Sequence, residues 1–239
     1  MATINMILQG KGGVGKSLIA SLLTQYLLES GKDVSCVDTD PINATFAGYK
    51  EFDVTALNIM DKEDIDPRRF DKLVELMLAL SDDDEMVIDN GAATFVPLAS
   101  YLAGNKVFEM LEESEIQINL HTVITGGQAL PDTLAGLNSL FKTFDVPIYV
   151  WLNNYFGPIN GNDRNFEEFT VYHENTHRIA ALIRLPQKKK ETFGKDLENL
   201  LTAKMSFDEA QESTLPIMTR QRLKMIWKEV QQELSNSGL

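Results

Sequence analysis

The chain predicts an α/β fold, a mainly parallel sheet with helices on both faces. Three observations carry that prediction. Short apolar runs alternate with stretches of helical apolar spacing along most of the 239 residues. A glycine-rich turn joins the first run to the first helical stretch. The composition, 44% hydrophobic and 24% charged, is that of a globular protein and excludes a largely disordered chain.

Residues 3–8 (TINMIL) read as a short buried strand. Residues 17–29 read as a helix, with apolar positions at Leu18, Ile19, Leu22, Leu23, Tyr26 and Leu27. Gly31 stops it as a C-cap glycine does. The second strand is 34–37, ending in Asp38-Thr39-Asp40-Pro41. A strand near 54–59 and a helix over about 69–80 come next. The acidic run Asp82-Asp83-Asp84-Glu85 leads into a strand at 86–89, which stops at Asn90-Gly91. Helical segments follow Pro97, and then a strand at 116–125. Gly126-Gly127 opens a helix to about Phe141, and 147–152 is a further strand. Residues 153–166 carry no period and read as a long loop, a kind of segment that is often functional. The last strand is 179–185, and the chain is helical from about 188 onward. No repeat, linker or composition break divides it, so 1–239 reads as one domain.

Charge and cysteine content narrow the function classes. The formal net charge is −13, from 22 Lys+Arg and 35 Asp+Glu. Residues 1–170 hold 26 of the acids and 11 of the basic residues, so any polyanion contact belongs to the last third. Whole-surface nucleic-acid binding is disfavoured, because backbone recognition needs clustered cations. No apolar run is long enough to span a membrane, and residues 1–8 lack the pattern of a signal peptide. The single Cys36 excludes a disulfide framework and points to the cytoplasm.

Gly10-Lys11-Gly12-Gly13-Val14-Gly15-Lys16-Ser17 fits G-x-x-x-x-G-K-[ST] between a strand and a helix, the context the motif needs. Glycines let backbone N–H groups converge on phosphate oxygens, and the helix N-terminus adds partial positive charge. Lys16 then holds the β- and γ-phosphates, Ser17 ligates Mg²⁺, and Leu18 belongs to the same nucleotide contact. No N-K-x-D guanine box occurs, which favours ATP over GTP.

With Lys11 inside the loop, K-G-G-x-G-K-S resembles the deviant Walker A motif of the MinD/ParA superfamily of P-loop ATPases. The resemblance implies an ATP-sandwiched homodimer in which Lys11 acts across the interface as an arginine finger would. It also implies that Asp40, in D-T-D-P, orients the attacking water while Asp38 supports metal and loop. Asp89 takes the Walker B-like role toward Mg²⁺, and the Gly91 N–H senses the γ-phosphate. Asn153 and Pro186 stand where the superfamily holds adenine. Asn43-Ala44-Thr45 resembles its N-A-T segment. LQGKGGVGKS (8–17), NATFAGYK (43–50), IDNGAATFVPL (88–98), TVITGGQAL (122–130), WLNNYFGPI (151–159) and IMTRQRLK (217–224) resemble the TraL/StbB-type ATPases of conjugative plasmids. That resemblance implies a slow, partner-stimulated ATPase in plasmid transfer or stability, beside a DNA-binding protein or a transfer-machinery component.

Several signals leave alternatives open. A nucleotide-gated scaffold with negligible hydrolysis shares the fold. His173-Glu174-Asn175-Thr176-His177 matches H-E-x-x-H, a zinc hydrolase pattern if it lies on a helix, with Glu191 or Glu198 as a third ligand. A reductase sharing an iron–sulfur cluster is disfavoured by the lone Cys36. Leu223, Ile226, Trp227, Val230 and Leu234 form a helical apolar stripe beside Lys188, Lys189, Lys190, Arg220, Arg222, Lys224 and Lys228. That stripe is core packing, a weak direct DNA or partner contact, or, least of all, a membrane face. Gly126-Gly127-Gln128 makes a turn or faces a dimer partner, and the loop at 155–158 covers adenine or docks a partner.

Overall fold

Parallel strands cannot be joined by tight hairpins, so each apolar run needs a crossover before the next. The computed structural model, which describes residues 1–161 and 164–239, is built that way. The first half runs β1 (Ala2–Ile7), α1 (Lys16–Glu29), β2 (Val34–Asp38), β3 (Thr55–Ala56), β4 (Met60–Asp61), β5 (Asp64–Ile65), α2 (Asp71–Leu78), β6 (Glu85–Asp89), α3 (Phe95–Gly104) and α4 (Val107–Glu113). The second half runs β7 (Ile116–Thr125), α5 (Leu130–Thr143), β8 (Ile148–Asn153), β9 (Asn160–Gly161), β10 (Arg164–Asn165), α6 (Thr170–Asn175), β11 (Ile179–Arg184), α7 (Lys195–Ala203), α8 (Phe207–Glu212) and α9 (Ile217–Asn236). One sheet takes the order β11-β8-β7-β1-β6-β2-β3, with every described pairing parallel.

Side chains alternate across the sheet, which makes two cores. Ala2, Ile4 and Met6 of β1 enter the layer formed with α2, α3, α4 and α5. Ile7 enters the other layer, with α1, α7, α8 and α9. The α9 stripe lies in that second layer. Leu223, Ile226, Trp227, Val230 and Leu234 are all buried, and Trp227 stacks on Phe207 at 5.0 Å. Two members of the neighbouring basic cluster are ion-paired within the chain, Lys188 with Glu229 and Arg222 with Asp196.

Three segments differ from expectation. Of the strand near 54–59 only Thr55 and Ala56 pair in register with β2, at the sheet edge: the left-handed Asp53 ends the turn before them, and beyond Leu57, whose N–H still reaches the Asp38 carbonyl, the Ile59 carbonyl turns to accept from Asp66 N. The long loop carries a two-residue antiparallel hairpin, β9–β10, too short to show a period. Residues 162 and 163 of that loop lie outside the described residues. Helix α6 ends at Asn175, so His173 and His177 do not share a helical face. There the Thr176 hydroxyl donates to the Tyr172 carbonyl and Asn175 Nδ2 to the Val171 carbonyl, and side-chain bonds of this kind compete with helix continuation. Among the described residues no group of three His, Cys, Asp or Glu is arranged to hold a metal ion.

One close approach ties the first loop to α5. Gln9 is buried, and its Nε2 donates to the carbonyls of Val123 and Thr133, each at 3.1 Å. A Cβ at Gly136 would lie 2.1 Å from Gln9 Oε1. Gly136→Ala is therefore expected to cost about 2 kcal/mol through overpacking. Adding Gln9→Ala should recover much of that loss, as measured by urea unfolding of both single variants and the double variant. Equal stability of Gly136→Ala and wild type would refute this packing.

Candidate nucleotide-binding site

Strand β1 lies between β6 and β7, and the connections leaving β1 and β6 run to opposite sides of the sheet. In open α/β sheets a ligand crevice forms at such a switch point, beyond the carboxyl ends of the strands. The glycine-rich loop emerges there. Gly13 (φ 73°) and Gly15 (φ 109°) take left-handed backbone, which L side chains rarely adopt, so the loop's path just ahead of α1 needs glycine at both places.

Lys16 and Asp89 meet beneath that loop. Lys16 is 8% exposed, and its Nζ donates to the Lys11 carbonyl at 3.0 Å. Burial pushes its pKa down, against the pull of Asp89 and Asp40. Asp89 is 1% exposed; burial pushes it up to about 7, while the Ser17 hydroxyl, hydrogen-bonded to it, works the other way. Asp89 Oδ1 is buried with no hydrogen-bond partner. An orphaned carboxylate oxygen beside a serine hydroxyl is a hard, anionic donor set, and it fits Mg²⁺.

The two carboxylates after β2 serve the loop that follows. Asp38 Oδ1 accepts from Asp40 N and Oδ2 from Ala47 N, both at 2.9 Å, while burial pushes its pKa up. Both Asp38 oxygens thus go to backbone. Asp40 Oδ1 accepts from the N–H groups of Ile42 and Asn43. Asp40 also sits against Gly91, where a Cβ would lie 2.7 Å from its Cγ, so the loops after β2 and β6 touch at this glycine.

Lys11 behaves differently from Lys16. Its ammonium lies outside the pocket, paired at 2.8 Å with Asp132 of α5, both side chains well exposed. Gly10 packs against Phe95, and Gly12 against Ala92. Gly13, Val14, Gly15, Leu18, Asn153 and Pro186 line one cavity of about 480 Å³ beside the loop. Asn153 Nδ2 donates to the Val14 carbonyl at 3.0 Å, and its Oδ1 accepts from Tyr155 N at 3.1 Å. Lys190 stands over the Tyr155 ring at 5.3 Å.

Two residues at this site were not legible beforehand. Asn90 joins three strand ends: its Nδ2 donates to the Ile7 carbonyl and its Oδ1 accepts from the Thr39 hydroxyl. Its place directly after a buried strand-end aspartate was the available signal. Lys204, the left-handed residue ending α7, lines the cavity and packs its stem against Gly48, with its ammonium 5.8 Å from the Tyr49 ring centre. No local pattern joins residue 204 to residue 49.

Residues 5–232 match the model of the CobQ/CobB/MinD/ParA nucleotide binding domain. Two proteins named TraL from Escherichia coli are each 46% identical over 242 residues, covering all of both chains. The MinD cell division protein of Aquifex aeolicus aligns over 98% of this chain and 97% of its own at TM-score 0.54 and 15% identity. A protein described as a plasmid partition protein from Borrelia burgdorferi B31, bound to AMPPNP, aligns over 99% of each chain at TM-score 0.54 and 17% identity. Those two likenesses show the fold. The chain belongs to the CobQ/CobB/MinD/ParA nucleotide-binding domain family and, within it, to the TraL-like proteins.

Proposed function

We propose that this chain is a Mg²⁺-dependent ATPase switch that closes as a homodimer on ATP and reopens on hydrolysis, in plasmid transfer or stability. The observation that carries the reading is the grouping of Lys16, Ser17 and the unpartnered Asp89 oxygen beneath the glycine-rich loop. The loop and Lys16 bind the triphosphate, and Ser17 and Asp89 hold Mg²⁺. When bound, that ion supplies neutralising charge to the phosphate oxygens. Asp40 orients the attacking water, and its contact with Gly91 links that role to the loop whose N–H senses the γ-phosphate. Asp38 acts by bracing the loop from Asp40 to Ala47.

Lys11 serves the partner's nucleotide. Its ammonium lies outside its own pocket and is held by one exposed carboxylate, a pairing that costs little to open. Lys11→Ala is expected to lose the ATP-dependent dimer in analytical ultracentrifugation and to lower hydrolysis at least about tenfold, the direction of removing a trans-acting cation. Unchanged dimerisation and rate would remove the trans role and leave the nucleotide site standing. ATP-dependent dimers with no phosphate release would instead identify a binding scaffold.

The DNA connection runs through a partner, a plasmid DNA-binding protein or a transfer-machinery component. The acidic first 170 residues, the internally paired Lys188 and Arg222, and the buried α9 stripe weigh against direct DNA or membrane contact, for which Lys189, Lys224 and Lys228 of the cluster remain exposed. No helix among the described residues is long and apolar enough to cross a membrane.

A further inference from the structure

Among the described residues, four charged side chains stand in the wall of the cavity beside the glycine-rich loop: Lys188, Lys190, Glu198 and Lys204. Lys188 is paired with Glu229 at 2.6 Å and Glu198 with Lys195 at 3.1 Å. Lys190 is exposed and stands over the Tyr155 ring. Lys204 differs from all three. It is partly buried, and among the described residues its ammonium makes no hydrogen bond or ion pair, only the approach to the Tyr49 ring at 5.8 Å. Its stem is pinned: a Cβ on Gly48 would meet Lys204 Cγ at 3.1 Å and Cδ at 3.4 Å. Tyr49 is in turn hydrogen-bonded to the Ser21 side chain, one turn along α1 from Ser17. Burial pushes the Lys204 pKa down, while Asp38 and Asp89 pull it up, so the ammonium lies within electrostatic reach of the ends of β2 and β6.

We infer that Lys204 is a second in-chain cation for the nucleotide, binding its phosphate chain from the C-terminal wall of the cavity. The inference rests on the nucleotide reading above and adds a binding residue to it. Partly buried ammonium donors without an acceptor are costly, and an anion entering the cavity supplies the acceptor. Phosphate is the part of a nucleotide that carries charge at neutral pH, and an ammonium on a flexible stem meets it as a point charge. The cavity runs from Lys204 to Gly13, Val14 and Gly15, so one ligand can touch both walls. Lys204 also ends α7, two residues before Ser206 caps α8. Its bond to phosphate therefore ties the helical C-terminal layer, and the Gly48–Tyr49 loop beneath its stem, to the occupied site.

The test measures binding of Mg·ATP and magnesium tripolyphosphate by titration calorimetry to wild type, Lys204→Met, Lys204→Arg and Lys204→Gly. The Met variant keeps a stem over Gly48 and removes the charge, and the Arg variant keeps the charge. Lys204 has φ 53°, a backbone that favours glycine, so the Gly variant carries the test if the Met variant unfolds in a thermal melt. Both ligands are expected to weaken by about tenfold in the Met and Gly variants, as for loss of one charge-assisted hydrogen bond. The Arg variant should stay within about threefold of wild type. Met-variant binding within about twofold of wild type for both ligands would overturn the inference. Equal losses in the Met and Arg variants would also overturn it, because packing of the stem and not charge would then be at work. Weakened ATP binding with tripolyphosphate binding intact would place Lys204 on the nucleoside, a third way to fail. Each of those outcomes leaves the nucleotide reading standing, whereas a wild type that binds neither ligand would sink that reading and the role of Lys204 with it.

Discussion

Lys16→Ala is expected to lower ATP hydrolysis about 100- to 1000-fold, the scale of losing a preorganised charge in a water-excluded site. Three features set that size. Lys16 is buried, so its ammonium acts with little solvent screening. It donates to the Lys11 carbonyl across the loop, so removing it also loosens the backbone that cradles the phosphates. It offsets the negative charge that Asp89 and Asp40 turn toward an incoming triphosphate. Phosphate release under saturating ATP, with titration calorimetry for affinity, checks the prediction. A variant within threefold of wild type in both would remove the central claim, because among the described residues Lys16 is the lysine that is itself part of the loop-to-helix turn and bonded to the loop's backbone. The nearby Lys204 is set against Tyr49 and Gly48, and Lys11 points to Asp132.

The parts of this molecule that could be read from sequence are those in which local pattern and tertiary outcome coincide. A buried strand between helices is a short apolar run, so 86–89 anticipated β6 (Glu85–Asp89) and 116–125 anticipated β7. The glycine-rich turn was legible because its residues are contiguous and each has a backbone reason to be there. Elsewhere the outcome depends on approaches between distant residues. Gln9 with Gly136, Lys204 with Tyr49, and Asn153 with Val14 each join segments far apart in the chain. The α9 stripe left core packing, a DNA or partner contact and a membrane face open, and its burial against α1 and Phe207 decides for the core. H-E-x-x-H carries its meaning only on a continuous helix, and Asn175 and Thr176 end that helix with side-chain bonds of their own.

A buried polar layer under the same sheet yields the second large effect. His121 is fully buried, stacked on Tyr149 at 4.9 Å. The Trp151 indole N–H is a donor only, and it donates to His121 Nδ1 at 3.0 Å. Nε2 therefore carries the imidazole proton and faces Asn5 Oδ1 at 3.2 Å. Asn5 in turn donates to Glu85 at 2.8 Å, and Asn119 donates to Asn5. A second proton on His121 would set two N–H groups against each other, and burial already pushes its pKa down to about 3. The unfolded chain titrates histidine near 6.5, so below that pH it binds a proton that the folded chain refuses. Stability contributed through His121 is thus complete above about pH 6.5 and falls by up to about 1.4 kcal/mol per pH unit as pH drops toward 3. Glu85 and Asp89, whose pKa values burial raises, bind protons first in the folded state and act in the opposite sense over the acidic range. The wild-type curve alone mixes these contributions, and a difference isolates His121. His121→Gln keeps an amide able to accept from Trp151 and donate to Asn5, and it should be about 2 kcal/mol less stable than wild type at pH 7.5. Below pH 6.5 that gap should close, and the variant should become the more stable protein at about pH 5 and below. Urea unfolding of both proteins at half-unit pH steps measures this. A gap that stays constant from pH 7.5 to 4.5 would mean that His121 does not carry the acid sensitivity of the fold.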